Sequence, residues 1–120
     1  GLRELIEEIG KKNVGYLLDS FHAYCAEDKN EDLDFLNSED IIAVQINDGV
    51  LGRTAATQQD LERELPGDTK IIDIESFLNL ISSKGYNGPV SVEPFNDPIN
   101  KMEATQKLEK VRGSLLKFGI

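Results

Sequence analysis

The stretch GYNGPVSVEPF at residues 85–95 places a turn directly before a short apolar strand. Asn87-Gly-Pro89 is typical of a turn, and Val90-Ser-Val-Glu93 predicts a buried strand that the following proline ends. The preceding segment, 74–84, has apolar residues at helical spacing, and Gly85 follows it where helices commonly end. The stretch therefore predicts a helix, a turn and a strand in that order.

Two further apolar runs, at residues 13–19 and 40–46, have the length and composition of buried strands. Helical patterns lie around and between the strands, at residues 2–11, 31–37, 57–65, 74–84 and 99–118. Alternating strands and helices are typical of parallel strands in βα units. We therefore expect one α/β domain over residues 1–120, with strands at about 13–19, 40–46 and 90–93.

Each predicted strand carries polar side chains at its carboxyl end. Asp19 ends the first strand, Gln45 lies near the end of the second, and Glu93 ends the third. Active sites lie at this edge of parallel α/β sheets. Each residue also has a structural explanation: Asp19 as a helix N-cap, Gln45 as a hydrogen-bond partner, and Glu93 in a salt bridge to a neighbouring Lys or Arg.

Two other side chains are candidates for contacts to a ligand. His22 is the only histidine of the chain and lies three residues after Asp19, although a lone histidine is more often structural. Arg53 follows the second strand, and a guanidinium group recognises oxyanions well. A solvated surface arginine is an equally good explanation of Arg53.

Composition excludes several classes of protein. The net charge of −9 and the lack of a basic stretch argue against nucleic-acid binding, which depends on phosphate neutralisation. No apolar run approaches the ~20 residues that a membrane span needs. Cys25 is the only cysteine, so no internal disulfide can form, and we expect a cytoplasmic protein.

Three segments together resemble the xylose-isomerase-like superfamily of TIM barrels. Asp19-Ser-Phe-His22 matches the D-x-x-H at the end of the sixth barrel strand. Val44-Gln-Ile-Asn-Asp48 looks like the seventh strand, and residues 85–95 are similar to the eighth strand and its lead-in. Leu65-Pro-Gly-Asp68 and the segment 72–78 also fit the family pattern. The resemblance implies the last three βα units of a (β/α)8 barrel.

The resemblance also implies a metal site. The family's ligands map onto Asp19, onto Gln45 in place of the usual His, and onto Glu93. His22 and Arg53 would contact substrate oxygens, while Glu93 and His22 would be the catalytic residues. Carboxylates with a neutral amide favour Mn²⁺ or Mg²⁺, with Zn²⁺ or Co²⁺ as alternatives. A fourth ligand, a Glu on the fifth strand, has no counterpart here, so we expect the isolated chain to be inactive.

The implied activity is a divalent-metal-dependent isomerase or epimerase of a sugar or keto-polyol, acting by proton transfer through an enediolate. Gln45 is also similar to the residue that some dehydratases of the 3-dehydroshikimate type, which are lyases, have at this position. The third hypothesis is that the chain is a truncated barrel fragment without catalytic activity. Because three parallel strands leave sheet edges unpaired, we expect assembly as a homo-oligomer or with the remainder of a barrel.

Overall fold

The computed structural model describes residues 1–120, and its centre is a parallel sheet of three strands in the order β1-β2-β3. The strands are β1 (Tyr16–Asp19), β2 (Ile41–Gln45) and β3 (Val90–Ser91). They lie within the predicted ranges 13–19, 40–46 and 90–93 and are shorter. The parallel order confirms the predicted α/β class and corresponds to part of a barrel.

Helices alternate with the strands along the chain: α1 precedes β1, and at least one helix follows each strand. They are α1 (Leu2–Ile9), α2 (Ser20–Cys25), α3 (Ile74–Ser83), α4 (Asp97–Asn100) and α5 (Ala104–Leu116). Short 3₁₀ turns occupy Asn30–Leu33, Ser38–Asp40 and Ala55–Thr57. None of the helices combines the length and the apolar character that crossing a membrane requires.

The strand register brings the carboxyl ends of the three strands to one edge. Asp19 on β1 pairs with Gln45 on β2, and Gln45 pairs with Ser91 on β3. Residues paired across parallel strands point to the same face, and side chains two residues apart on a strand share that face. The register therefore places Asp19, Gln45 and Ser91 in one row across the sheet.

The two faces of the sheet differ in burial. Leu18 and Val44 pack into the hydrophobic core with Phe21, Ile74 and residues of the other helices, and Val44 is fully buried. Burying one such aliphatic side chain contributes about 1.5–3 kcal/mol. On the other face, Leu17 stays 52% exposed. The core thus lies between the sheet and its helices, and the face that carries Asp19 is open at Leu17.

Segment 57–65, predicted as one or two helical turns, is not helical after Thr57. Asp48 and Glu64 instead form an antiparallel bridge, with both N–H···O distances at 2.9 Å. The fully buried carboxylate of Asp48 accepts further bonds from the backbone N–H groups of Gly49, Thr69, Lys70 and Ile72, at 2.7 to 3.1 Å. These long-range bonds override the weak local helical pattern and hold the loop against the end of β2.

The last helical segment is also divided. We predicted one helix over 99–118, whereas α4 ends at Asn100 and α5 begins at Ala104. Asn96 caps α4 through its side-chain oxygen, which accepts from the N–H of Ile99 at 3.2 Å. This cap, together with proline at the first turn, fixes a separate short helix just after β3.

Candidate active site

Arg63 lies at the centre of the charged cluster at the carboxyl ends of the strands. Its Nη1 donates to Oδ2 of Asp19 at 2.9 Å and to Oε2 of Glu93 at 3.2 Å. Its Nε donates to Oδ1 of Asp60 at 3.0 Å, and its Nη2 lies 3.0 Å from Nε2 of His22. Two acids, one at the end of β1 and one two residues beyond β3, therefore meet on one nitrogen atom.

The backbone on either side of Arg63 is paired, which explains how a loop residue becomes so well placed. The bridge of Glu64 to Asp48 holds one side, and a second antiparallel bridge joins Glu62 to Asn96. The side-chain amide of Asn96 also donates to the carbonyl oxygen of Arg63 at 3.1 Å. The loop is thus attached to the segments that follow both β2 and β3.

The side chain of Arg63 is only 1% exposed, and its guanidinium lies close to two aromatic rings. Its central carbon is 4.9 Å from the ring centre of Phe21 and 5.2 Å from that of Phe95. Burial by itself lowers the pKa of Arg63, but the hydrogen bond to Asp60 and the surrounding carboxylate charges outweigh it and raise the pKa above its ordinary value. Arg63 is therefore a permanent cation.

Asp19 serves both as a helix cap and as part of the cluster. Its Oδ1 accepts from the backbone N–H of Phe21 at 2.8 Å at the start of α2, while Oδ2 accepts from Arg63. The N-cap explanation and the functional one are compatible, because the two oxygens face different partners. The cap fixes the side-chain torsion and so aims the second oxygen at the cluster.

Glu93 and His22 form the accessible side of the cluster. The Glu93 side chain is 36% exposed and that of His22 is 63% exposed, against 3% for Asp19. Nε2 of His22 is 3.9 Å from Oδ2 of Asp19 and 3.7 Å from Oδ1 of Asp60. A ligand arriving from solvent would therefore meet Glu93 and His22 first.

The carboxyl edge of the parallel sheet carries an acid-rich cluster with a buried arginine at its centre. The family model described as xylose isomerase-like TIM barrel matches residues 1–115. The chain belongs to this family. The three-stranded sheet is thus part of a xylose isomerase-like barrel, as the strand-end motifs predicted.

Relatives of the chain include two types of enzyme. Inosose isomerase of Halalkalibacterium halodurans is 27% identical over 109 residues, which are 91% of this chain and 38% of that protein. The 3-dehydroshikimate dehydratase of Pseudomonas aeruginosa is 32% identical over 95 residues, 78% of this chain and 15% of that protein. The chain spans less than two fifths of the length of these curated relatives.

A solved structure of the IOLI protein with a bound zinc atom superimposes with a TM-score of 0.86 at 25% identity. The match covers 96% of this chain and 41% of that one. Nearly all of the present chain therefore has the arrangement of a xylose isomerase-like barrel, while the larger part of that barrel lies outside the matched region.

Two predicted site residues of this family member lie outside the bonded cluster. Gln45 is half-buried beside Asp19 in the strand register, and the hydrogen bonds around Arg63 do not include it. Arg53 forms an ion pair with Glu62, and its Nη1 is 3.4 Å from the carbonyl oxygen of Thr57. The structure places Arg53 within its own loop, and the predicted roles of both residues stay predictions.

Arg63 was missed from sequence because it lies within segment 57–65, whose pattern indicated helical turns and not a functional site. The available indication was its position two residues before Leu65-Pro-Gly-Asp68, a motif already matched to the family. Asn47 and Asp48, at the end of the seventh-strand motif, were likewise not assigned a place in the site. Their importance depends on bonds to residues far along the chain.

The donor chemistry of the cluster fits a divalent cation in part. No group of three or more His, Cys, Asp or Glu side chains is arranged to hold a metal ion. However, three carboxylates, from Asp19, Asp60 and Glu93, surround a single guanidinium, so negative charge is in excess. Glu93 binds Arg63 through Oε2 alone, which leaves Oε1 as a hard oxygen donor.

Proposed function

We propose that this protein is a divalent-metal-dependent isomerase or epimerase that acts on a sugar or keto-polyol by proton transfer. The observation that carries the proposal is the meeting of Asp19 and Glu93 at Nη1 of Arg63, at 2.9 and 3.2 Å. The similarity to inosose isomerase over 91% of the chain supports this reaction class.

In this proposal the metal ligands are Asp19, Gln45 and Glu93. Oxygen donors of this kind suit Mn²⁺ or Mg²⁺, although the zinc atom of the IOLI protein keeps Zn²⁺ as an alternative. When bound, the ion would polarise the substrate carbonyl and lower the cost of the negative charge that develops on its oxygen. Mn²⁺ is the ion of choice for a first binding experiment.

Glu93 is the proposed base. Its carboxylate takes the proton from the carbon next to the carbonyl, and the C–H electron pair moves towards the carbonyl oxygen to give an enediolate. Return of the proton to the neighbouring carbon gives an isomer, and return to the opposite face of the same carbon gives an epimer. The partial exposure of Glu93 suits a group that must reach substrate.

His22 is a proposed contact to substrate oxygens. Arg63 is buried, and its N–H groups already face Asp19, Glu93, Asp60 and His22, so its charge holds these side chains in place. His22 is exposed beside it and can donate to or accept from a hydroxyl group. Arg53 is the other proposed contact to a substrate oxygen, from its own loop.

A dehydratase is the second candidate, favoured by the 32% identity to 3-dehydroshikimate dehydratase. Both reactions begin with removal of a proton next to a carbonyl, so the same base serves either. Analysis of products separates them, because dehydration of 3-dehydroshikimate creates a conjugated acid that absorbs in the ultraviolet. Epimerisation produces no such chromophore.

A barrel piece without activity of its own is the third candidate, because the sheet has open edges and the Leu17 face is uncovered. Calorimetry with Mn²⁺, Mg²⁺ and Zn²⁺ on this chain addresses it. Failure to bind any of these ions, together with a stable oligomer, would favour this candidate over the enzyme. The proposed partners are a second copy or the remainder of a barrel, and the proposed location is the cytoplasm.

The central experiment compares Glu93→Gln with a matched change, Glu75→Gln, at an exposed site on α3. In the protein with its complete barrel, Glu93→Gln should weaken Mn²⁺ binding in calorimetry and lower turnover of inosose or a related keto-polyol by about 10²–10⁴-fold. Glu75→Gln should change neither. Unchanged turnover in the Glu93 variant would refute the mechanism.

A further inference from the structure

Asn47 is fully buried, and its hydrogen bonds connect the segment at the end of β1, next to Asp19, with the segment after β3 that carries Glu93. On the side of β1, the hydroxyl of Ser20 donates to the carbonyl oxygen of Asn47 at 2.9 Å and accepts from its backbone N–H at 3.0 Å. On the side of β3, Oδ1 of Asn47 accepts from the backbone N–H of Glu93 at 3.2 Å. Asn47 is thus bonded to the neighbour of Asp19 and to Glu93 itself.

The hydrogen bond from Asn47 to Glu93 lies beyond the end of β3, where strand pairing no longer supplies a partner for the backbone N–H of Glu93. β3 has only two residues, and the last ladder bond to it runs from the N–H of Ile46 to the carbonyl oxygen of Ser91 at 2.9 Å. Pro94 follows Glu93 and has no N–H to donate. The side chain of Asn47 therefore continues the pairing by one more step and fixes the backbone at Glu93.

The amide nitrogen of Asn47 adds an independent observation. Nδ2 is buried and has no hydrogen-bond partner, an arrangement that is unfavourable in a protein interior. A leucine of similar size would fill the same space without an unpaired donor. An amide at this position is therefore better explained by what its oxygen does for Glu93 than by packing.

We propose that Asn47 is a positioning residue that fixes the separation between the carboxylates of Asp19 and Glu93. This inference rests on the proposed function for its catalytic consequence, whereas the hydrogen bond to Glu93 is tested without any reaction. Asn47 acts through the Glu93 backbone and is not itself a base or a metal ligand.

The test uses ¹⁵N-labelled protein, two variants of Asn47 and the same two changes at Asn79, an exposed residue of α3. Asn47→Leu keeps the volume and removes the acceptor oxygen, whereas Asn47→Asp keeps an acceptor. The amide hydrogen of Glu93 should exchange about tenfold faster in Asn47→Leu than in the wild type. It should stay protected in Asn47→Asp and in both Asn79 variants.

Kinetics supply the second readout. Because a displacement of about 1 Å at a reacting group can cost ~10²-fold, Asn47→Leu should lower kcat by about 10- to 100-fold while KM changes little. An unchanged exchange rate at Glu93 in Asn47→Leu would overturn the inference, and so would faster exchange with an unaltered kcat. A wild-type protein without turnover would count against the proposed function, and the exchange comparison would still support or overturn the role of Asn47.

Discussion

Asp19 and Glu93 each hydrogen-bond Nη1 of Arg63, Asp19 at 2.9 Å and Glu93 at 3.2 Å, although Asp19 is buried and Glu93 is partly exposed. One cation therefore joins the carboxyl ends of β1 and β3. The shorter bond belongs to the acid that solvent cannot reach. This asymmetry suggests that Asp19 holds Arg63 in place and that Glu93 is the acid that can exchange partners.

Removal of Arg63 should strongly destabilise the protein. Arg63→Ala leaves the buried carboxylate of Asp19 without its cation, and breaking a buried pair in this way typically costs about 3–5 kcal/mol. Urea unfolding followed by circular dichroism measures the change. Lys101→Ala, which breaks the exposed pair with Asp97, should cost no more than about 1 kcal/mol. Equal effects of the two variants would contradict the central position of Arg63.

Asp48→Asn should loosen the loop that carries Arg63. The carboxylate of Asp48 accepts four backbone N–H groups, and an amide replaces one acceptor oxygen with a donor that faces them. A buried group left without a partner costs about 1–3 kcal/mol. Hydrogen exchange at the amides of Thr69 and Lys70 should accelerate, because both donate to Oδ2. Asp68→Asn, which affects an ion pair with Lys117, serves as the comparison and should leave those amides protected.

Glu64 should make stability depend on pH. Burial, followed by the charge of Asp68, raises the pKa of Glu64 above its ordinary value of 4.5 in the folded protein. The folded state therefore binds more protons than the unfolded state between the two pKa values, so stability falls as pH rises through this window. Above this window the stabilisation is fully lost, and below pH 4.5 it is fully present.

Glu64→Gln removes this titration. Its Tm should exceed that of the wild type above the window, and the difference should shrink as the pH falls towards 4.5. Thermal unfolding at a series of pH values gives the comparison, with Glu75→Gln as an exposed control. A Tm difference that is independent of pH would show that the carboxyl group of Glu64 is not the source.

The two faces of β1 should respond differently to truncation. Leu18 is 9% exposed and packs in the core, so Leu18→Ala should cost about 2–5 kcal/mol. Leu17 is 52% exposed in this chain, and Leu17→Ala should cost clearly less. Denaturant midpoints of the isolated chain measure both. A similar cost for the two variants would mean that a partner covers the Leu17 face.

Local patterns were sufficient for the regular parts of the fold. The apolar runs and the helical spacing between them predicted parallel strands, and the register of β1, β2 and β3 confirms this topology. Helix signals failed where long-range bonds compete. Segment 57–65 is held by the bridge of Glu64 to Asp48, and no local propensity reveals that bridge.

Local patterns in the sequence predict that Asp19 and Glu93 lie at one edge of a parallel sheet, since both follow apolar runs and the carboxyl ends of parallel strands coincide. Which basic residue joins the two acids depends on long-range packing. Arg63 reaches the site because Asp48 and Asn96 pair with its neighbours, and such pairings depend on how distant segments pack. Strand ends follow from periodicity within a few residues, whereas the path of an irregular loop depends on contacts across the whole chain.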